Sequence, residues 1–160
     1  MHKTKNDLPE KVRVQMITLL QERLAEALDL GSQAKQAHWN VKGPSFIALH
    51  ELFDKVAEVA EDGIDELAER ITALGGIADG TVQTVAKRSR LAPYPTDLVK
   101  GRDHVAKLAD AIAAVGKSAR AAIDESDKLG DKDTADLFTG ISRELDKQLW
   151  FVEAHLQADG

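Results

Sequence analysis

The stretch SFIALHELFDKVAEVAEDGIDELAERITALGG, residues 45–76, places apolar residues three or four apart through Leu49, Leu52, Phe53, Val56, Ile64, Leu67 and Ile71. That is the period of an amphipathic α-helix, with Ser45 as its N-cap after Gly43-Pro44 and Gly75-Gly76 as its stop. Upstream, the same spacing runs from about Glu10 to Asn40 through Ile17, Leu20, Leu24, Ala27, Leu28 and Ala34, with Pro9 well placed for a first turn. Downstream, residues 77–96 carry Gly80, Pro93 and Pro95 and no clear period, so they read as a long connection with room for a short helix. A third helix is predicted from about Thr96 to Leu129 through Leu98, Val105, Leu108, Ile112, Val115 and Ile123, with Gly130 as its stop. Asp133-Thr134-Ala135-Asp136 reads as a capped start for a fourth, which carries Leu137, Ile141, Leu145, Leu149, Val152 and Leu156 to the end. Four helices of roughly 25–30 residues, each about 40–45 Å long, with one long connection in the middle predict an all-α four-helix bundle with a crossover. No strand signal and no internal repeat is present. Residues 1–8 are expected to be a short flexible tail and residues 9–160 one bundle domain.

The chain has 160 residues, enough for one domain with a single core. It has no cysteine, which excludes a disulfide framework, a thiolate metal site, an iron–sulfur cluster and a cysteine nucleophile. With 21 basic and 27 acidic residues the formal net charge is −6, which argues against a body that grips nucleic acid by its overall charge. No charged-then-apolar leader opens the chain, and no apolar run approaches the roughly 20 residues that span a bilayer. The expectation is a soluble cytoplasmic protein with no membrane partner.

The helix of residues 45–76 has a feature its packing does not require. His50 and Asp54 stand four apart, as do Asp65 and Glu69, and all four fall within an arc of about 100° on one helical face. The centres of the two pairs lie about 22 Å apart along the axis, so one metal cannot touch both. A second, antiparallel copy of the helix removes the difficulty. The residue numbers of the pairs 50/69 and 54/65 share one sum, so a two-fold axis near Val59 and Ala60 brings His50 and Asp54 beside the other copy's equivalents of Asp65 and Glu69 at both ends. Ala57 and Ala68 lie on the same arc and are small enough for two backbones to come close. A di-iron site inside one bundle normally uses Glu-x-x-His on two helices, and none of the 11 glutamates has a histidine three residues on. His38 ends the first helix just before the Gly43-Pro44 turn, which can fold it back towards His50. Two imidazoles and three carboxylates suit Fe(II) or Zn(II), and open positions for water or oxidant favour redox chemistry. Trp39 beside them either packs at the interface or intercepts one-electron oxidants.

At these residues a family becomes recognisable. The run AKQAHWNVKGPSFIALHELFDKVAEVAEDGIDELAERITALGG, residues 34–76, resembles the signature of the Dps proteins, the mini-ferritins of starved cells, and so do YPTDLVKGRDHVAKLAD and DKDTADLFTGISRELDKQLWFVEAHL. The resemblance spans nearly the whole chain except its first few residues. It implies a ferritin-like four-helix subunit with a short helix in the crossover, assembled as a hollow dodecamer with ferroxidase centres of two irons each at two-fold interfaces. His38, His50 and Asp54 would come from one subunit, and Asp65 and Glu69 from its mate. The implied activity is oxidation of Fe(II), usually by hydrogen peroxide in preference to oxygen, with storage of the ferric product. Removing both reagents prevents hydroxyl-radical formation.

The remaining charged residues have blander readings beside functional ones. Glu58 and Glu61 share the pairing sum of the ligand pairs, so each approaches the other's equivalent in the second copy across the same axis; they are solvated, or with Glu51 they nucleate mineral. Asp127, Asp131, Asp133 and Asp136 cluster at the start of the last helix, where capping and dipole stabilisation suffice. The resemblance implies acidic pores near this segment, for which Asp127, Asp131 and Asp136 are the candidates. His104 and His155 have no partner at ligand spacing and are expected at the surface or an interface. DNA is a further candidate partner, and in the family it is held by lysine-rich termini. Here the start offers only Lys3 and Lys5, and the end, Ala158-Asp159-Gly160, offers no basic extension. Twelve weak tails on one shell can still act together, against the repulsion of an acidic body. The expected function is thus a ferroxidase and iron-storage cage. The alternatives are a nucleoid-associated structural protein whose metal site mainly stabilises the dimer, and a zinc-occupied, redox-silent site.

Overall fold

The computed structural model describes residues 1–157, so the sequence-level reading of residues 158–160 lies outside it. Five helices follow one another: α1 (Glu10–Asn40), α2 (Phe46–Ala73), α3 (Val82–Arg88), α4 (Gly101–Lys128) and α5 (Lys132–Glu153). Helices α1 and α2 form one antiparallel hairpin and α4 and α5 another, and the two hairpins pack as a four-helix bundle. The short α3 lies in the crossover and rests on α1. Among the described residues there is no strand, only an isolated parallel bridge between Lys42 and Lys100. No helix among them is long and apolar enough to cross a membrane.

The core is continuous along the bundle. At one end Leu30, Ala34, Val41, Leu49, Phe53 and Ile112 pack together. At the other, Met16, Leu20, Leu67, Ile71 and Phe138 do. Of the residues the helical period selects, Leu20, Leu24, Leu49, Phe53, Leu67, Ile112 and Leu145 are buried, while Ile17, Leu52, Ile64, Leu137 and Leu149 are half-buried against the core. Burying side chains of this size supplies about 1.5–3 kcal/mol each, which drives the pairing of the hairpins.

Two helix starts differ from expectation. Helix α4 begins at Gly101, not near Thr96: Lys100, at its N-cap, is extended (ψ 136°) and bridges to Lys42. Helix α5 is capped by Asp131, not Asp133: its side chain accepts the Thr134 backbone N–H at 3.1 Å. Ser45 does occupy the N-cap position of α2, but its hydroxyl makes no capping bond.

The crossover is held by polar side chains of α1. Gln21 exchanges two hydrogen bonds with the Asp79 backbone, at 2.6 and 3.0 Å. Asp29 accepts from the Ser89 hydroxyl, and Gln33 donates to the Ala92 carbonyl at 3.1 Å. Glu26, 3 % exposed, takes Arg23 at 3.2 Å, Arg90 at 2.9 Å and the Ser118 hydroxyl. Residues 1–8 form no helix, yet they are attached to the bundle. The His2 N–H donates to the Gly75 carbonyl at 2.7 Å, and the Arg13 guanidinium holds the Leu8 and Leu74 carbonyls at 3.1 and 3.0 Å. Gly75 has φ +87°, and a Cβ there would lie 2.7 Å from the His2 carbonyl oxygen, so both conformation and space require glycine.

Candidate metal centre

The turn of residues 41–45 folds α2 back on α1 and lays the His38 ring on the His50 ring, with centroids 3.6 Å apart and planes 21° apart. Each imidazole is fixed by the other's backbone. His38 Nδ1 meets the His50 carbonyl at 2.8 Å, and His50 Nδ1 meets the His38 carbonyl at 2.9 Å. A carbonyl oxygen only accepts, so each Nδ1 carries the hydrogen and each neutral ring keeps its lone pair on Nε2. This is how metal-binding histidines are usually oriented: the far nitrogen donates to a fixed acceptor and the near one is left free for the ion.

Asp54, one turn beyond His50, places a carboxylate oxygen 3.9 Å from His38 Nδ1. Its own partner is Lys35, whose ammonium lies 2.5 Å away. That hydrogen bond and charge hold the Asp54 carboxyl below the usual carboxylate range. With Asp54 42 % exposed, the pair is open to exchange with a cation from solvent. Lys35 was not among the residues selected from the sequence, although its position three before His38 on α1 is the signal that would have found it.

Helix α2 runs unbroken from Phe46 to Ala73, so Asp65 and Glu69 stay a helix-length away from His50 in the same chain. Both are exposed. Among the described residues of one chain, no three of His, Asp and Glu come together in a way that could hold a metal. The single chain thus stacks His38 on His50 and sets Asp54 3.9 Å from His38, without arranging the three around one ion, and leaves Asp65 and Glu69 apart. Between the two ends, the α1–α2 face carries a groove of about 480 Å³ floored by small residues, Gly31 and Ala57, and edged by Trp39, Asp54, Glu58 and Glu61. Glu51, Glu58 and Glu61 are all exposed, and Glu58 is paired to Lys55 at 2.7 Å. Trp39 is 66 % exposed.

Two sequence-level assignments change. Asp131 is 2 % exposed, with its carboxylate spent on the α5 cap and on Arg70 at 2.7 Å, so within this fold it faces no open channel. Asp127, paired to Lys132, and Asp136 are exposed. His104 is not a surface residue: it is 1 % exposed and bonded through Nδ1 to the Tyr94 hydroxyl at 2.7 Å. His155 is exposed as expected.

Comparison with known proteins agrees with this architecture. The ferritin-like domain model matches residues 17–159. The chain is 49 % identical over 156 residues to the DNA protection during starvation protein of Agrobacterium fabrum, covering 98 % of this chain and 96 % of that one. Among solved structures, a tetragonal form of Mycobacterium smegmatis Dps superposes with a TM-score of 0.93 at 34 % identity, covering 100 % of this chain and 96 % of that one. A Dps protein of Vibrio cholerae O1, described as a member of a broad superfamily of ferritin-like diiron-carboxylate proteins, superposes with a TM-score of 0.90 at 25 % identity, covering 98 % of both chains. With the bundle, the crossover helix and the paired histidines in place, these likenesses establish that the chain belongs to the Dps family of ferritin-like proteins.

Proposed function

We propose that the protein is a Dps-type ferroxidase and iron store whose centres are completed between two copies of the chain. The observation that carries this reading is the mutual pinning of His38 and His50 through Nδ1, which leaves Nε2 of each ring free next to the α2 face that bears His50, Asp54, Asp65 and Glu69. A pair of imidazoles locked through Nδ1 is of no use to a solvated helix face, and it is a ready half of an Fe(II) site. Paired antiparallel across the α1–α2 groove, each copy adds Asp65 and Glu69 to the other's His38, His50 and Asp54, so that two irons are held in each centre.

In this reading Fe(II) is the substrate. Lys35 offsets the Asp54 carboxylate while the centre is empty, and binding displaces it. The imidazoles and carboxylates hold two Fe(II) within reach of one peroxide, which takes one electron from each: two Fe(II), one H2O2 and two protons give two Fe(III) and two waters. Oxygen is the alternative oxidant. The ferric product passes into the cavity of a cytoplasmic dodecamer, with Glu51, Glu58 and Glu61 as nucleating carboxylates and Asp127 and Asp136 on the iron entry route.

Stopped-flow oxidation of Fe(II) with peroxide and with oxygen tests the assignment. The Asp65→Ala/Glu69→Ala double variant is expected to lose about a hundredfold or more in rate; a wild-type rate would refute the centre. The name of the Agrobacterium relative, a DNA protection protein, supports a second reading, a nucleoid-associated protein that shields DNA. Lys3 and Lys5 are exposed and available to phosphates. Gel shifts at low and physiological salt beside the oxidation assay separate the two. Zinc on the same donors would give binding without oxidation.

A further inference from the structure

The two hairpins meet along α2 and α5, and there the core is not filled. A cavity of about 260 Å³ opens between these helices and runs inward to Leu30 of α1, Ala60 of α2, Val115 of α4 and Leu145 of α5, all of them buried. Missing side chains keep it open. Gly63 on α2 and Gly140 on α5 both line it, and a Cβ added at Gly140 would meet nothing within 4 Å. At Gly63 an added Cβ would make only ordinary contact with the Ile141 side chain, at 3.7 Å. Neither glycine has a positive φ, so helical geometry does not demand glycine at either place, and larger residues would have closed the gap.

The walls and the mouth of this cavity differ in chemistry. The inner walls are aliphatic, so water held there finds few partners. The mouth is charged: Asp62 and Glu66, one turn apart on α2, lie across from Arg143 and Glu144 of α5, and all four are exposed. Among the described residues Asp62, Glu66 and Arg143 form no ion pair, and Glu144 has only Lys147, at 3.8 Å on its own helix. Three carboxylates against one guanidinium leave an excess of negative charge at the opening of an apolar space.

That combination selects a ligand at both of its ends. A dry apolar cavity of about 150 Å³ already admits a benzene ring, so this one has room for a ring and a short chain. The carboxylates at its mouth favour a cationic head over a neutral or an anionic one. We propose that the cavity is a binding site for a small organic cation, a primary ammonium on an aromatic or branched aliphatic body. The body fills the space between α2 and α5, and the ammonium lies among Asp62, Glu66 and Glu144. The cavity side of α2 is turned by roughly 120° from the side that bears His50, Asp54, Asp65 and Glu69, so the inference does not depend on the iron reading.

The full-length protein as isolated, without added iron and with its isoleucine methyls labelled, is titrated with phenethylammonium, 2-phenylethanol, 3-phenylpropionate and ethylammonium. Methyl NMR and calorimetry follow the binding. Phenethylammonium is expected to saturate a single site per chain and to move the Ile141 methyl, which lines the cavity, while Ile77, exposed beyond the end of α2, keeps its position. The alcohol, which lacks the charge, and ethylammonium, which lacks the ring, should each bind about tenfold or more weakly, and the carboxylate more weakly still. Asp62→Asn/Glu66→Gln/Glu144→Gln should bring phenethylammonium to within about twofold of the alcohol. Gly140→Leu, which puts a side chain into the gap, should abolish binding of both. No saturable binding to wild type, or a response confined to methyls away from the cavity, overturns the inference without recourse to any variant. Equal binding by the alcohol rejects the acidic mouth as the selector, and equal binding by ethylammonium rejects the cavity. If Gly140→Leu alters assembly on gel filtration while wild type binds no ammonium, a second copy of the chain fills the gap, and the inference falls.

Discussion

His104 carries a consequence for stability. Burial lowers its proton affinity in the folded chain, whereas the unfolded chain titrates near the ordinary imidazole value of about 6.5. Below that pH the unfolded state binds a proton that the folded state refuses, so the stability present above about pH 6.5 is lost as pH falls towards the folded-state value. Wild type should therefore lose more thermal stability between about pH 7.5 and 5.5 than His104→Gln, whose side chain does not titrate. Equal losses in calorimetry would contradict the burial argument. The sequence could not distinguish His104 from His155, because neither has a partner at helical spacing. What separates them is Tyr94, ten residues back, folding over the start of α4. The same limit applies to Asp131 and Asp133: both precede an apolar run, and only the position of Arg70 on α2 selects Asp131 as the buried cap. His50 and Asp54 were readable because one helix sets their geometry, and His38 because a Gly-Pro turn folds its helix back onto theirs.

Helix α1 shows where periodicity stops being informative. Its ends were readable from Pro9 and Gly43-Pro44, yet it buries Gln21, Glu26 and Gln33 among its apolar residues. These polar residues bind the crossover, whose backbone has unpaired groups to satisfy over a long stretch without regular structure. A segment with no period of its own, residues 77–100, thus takes its path from side chains on another element, and nothing local in it announces the path. Glu26 is the centre of that attachment. Glu26→Gln would remove the charge that Arg23 and Arg90 share and is expected to cost about 3 kcal/mol, measured as a lower urea midpoint with an unchanged slope. A loss within about 0.5 kcal/mol would mean that the Glu26 charge does not carry the attachment of the crossover.

The bundle as a whole was readable from four long periodic segments and one aperiodic connection, since short loops make neighbours antiparallel and a long one permits a crossover. Pairing of two copies makes a quantitative prediction. Chains carrying Asp65→Ala/Glu69→Ala and chains carrying His38→Ala/His50→Ala should each be inactive alone. Co-expressed, a mixed pair has one centre with every ligand and one that keeps only Asp54, so random pairing restores about a quarter of the centres. No recovery in verified mixed assemblies would place the ligands within one chain or elsewhere. Trp39 and Trp150, on opposite hairpins, are 66 % and 62 % exposed on the single chain. The chain thereby carries its own optical gauge of association. Dissociated chains should fluoresce like indole in water, each surface covered by a neighbour should shift its indole to shorter wavelength, and Trp39→Phe beside Trp150→Phe should show which contact forms first on dilution and recovery.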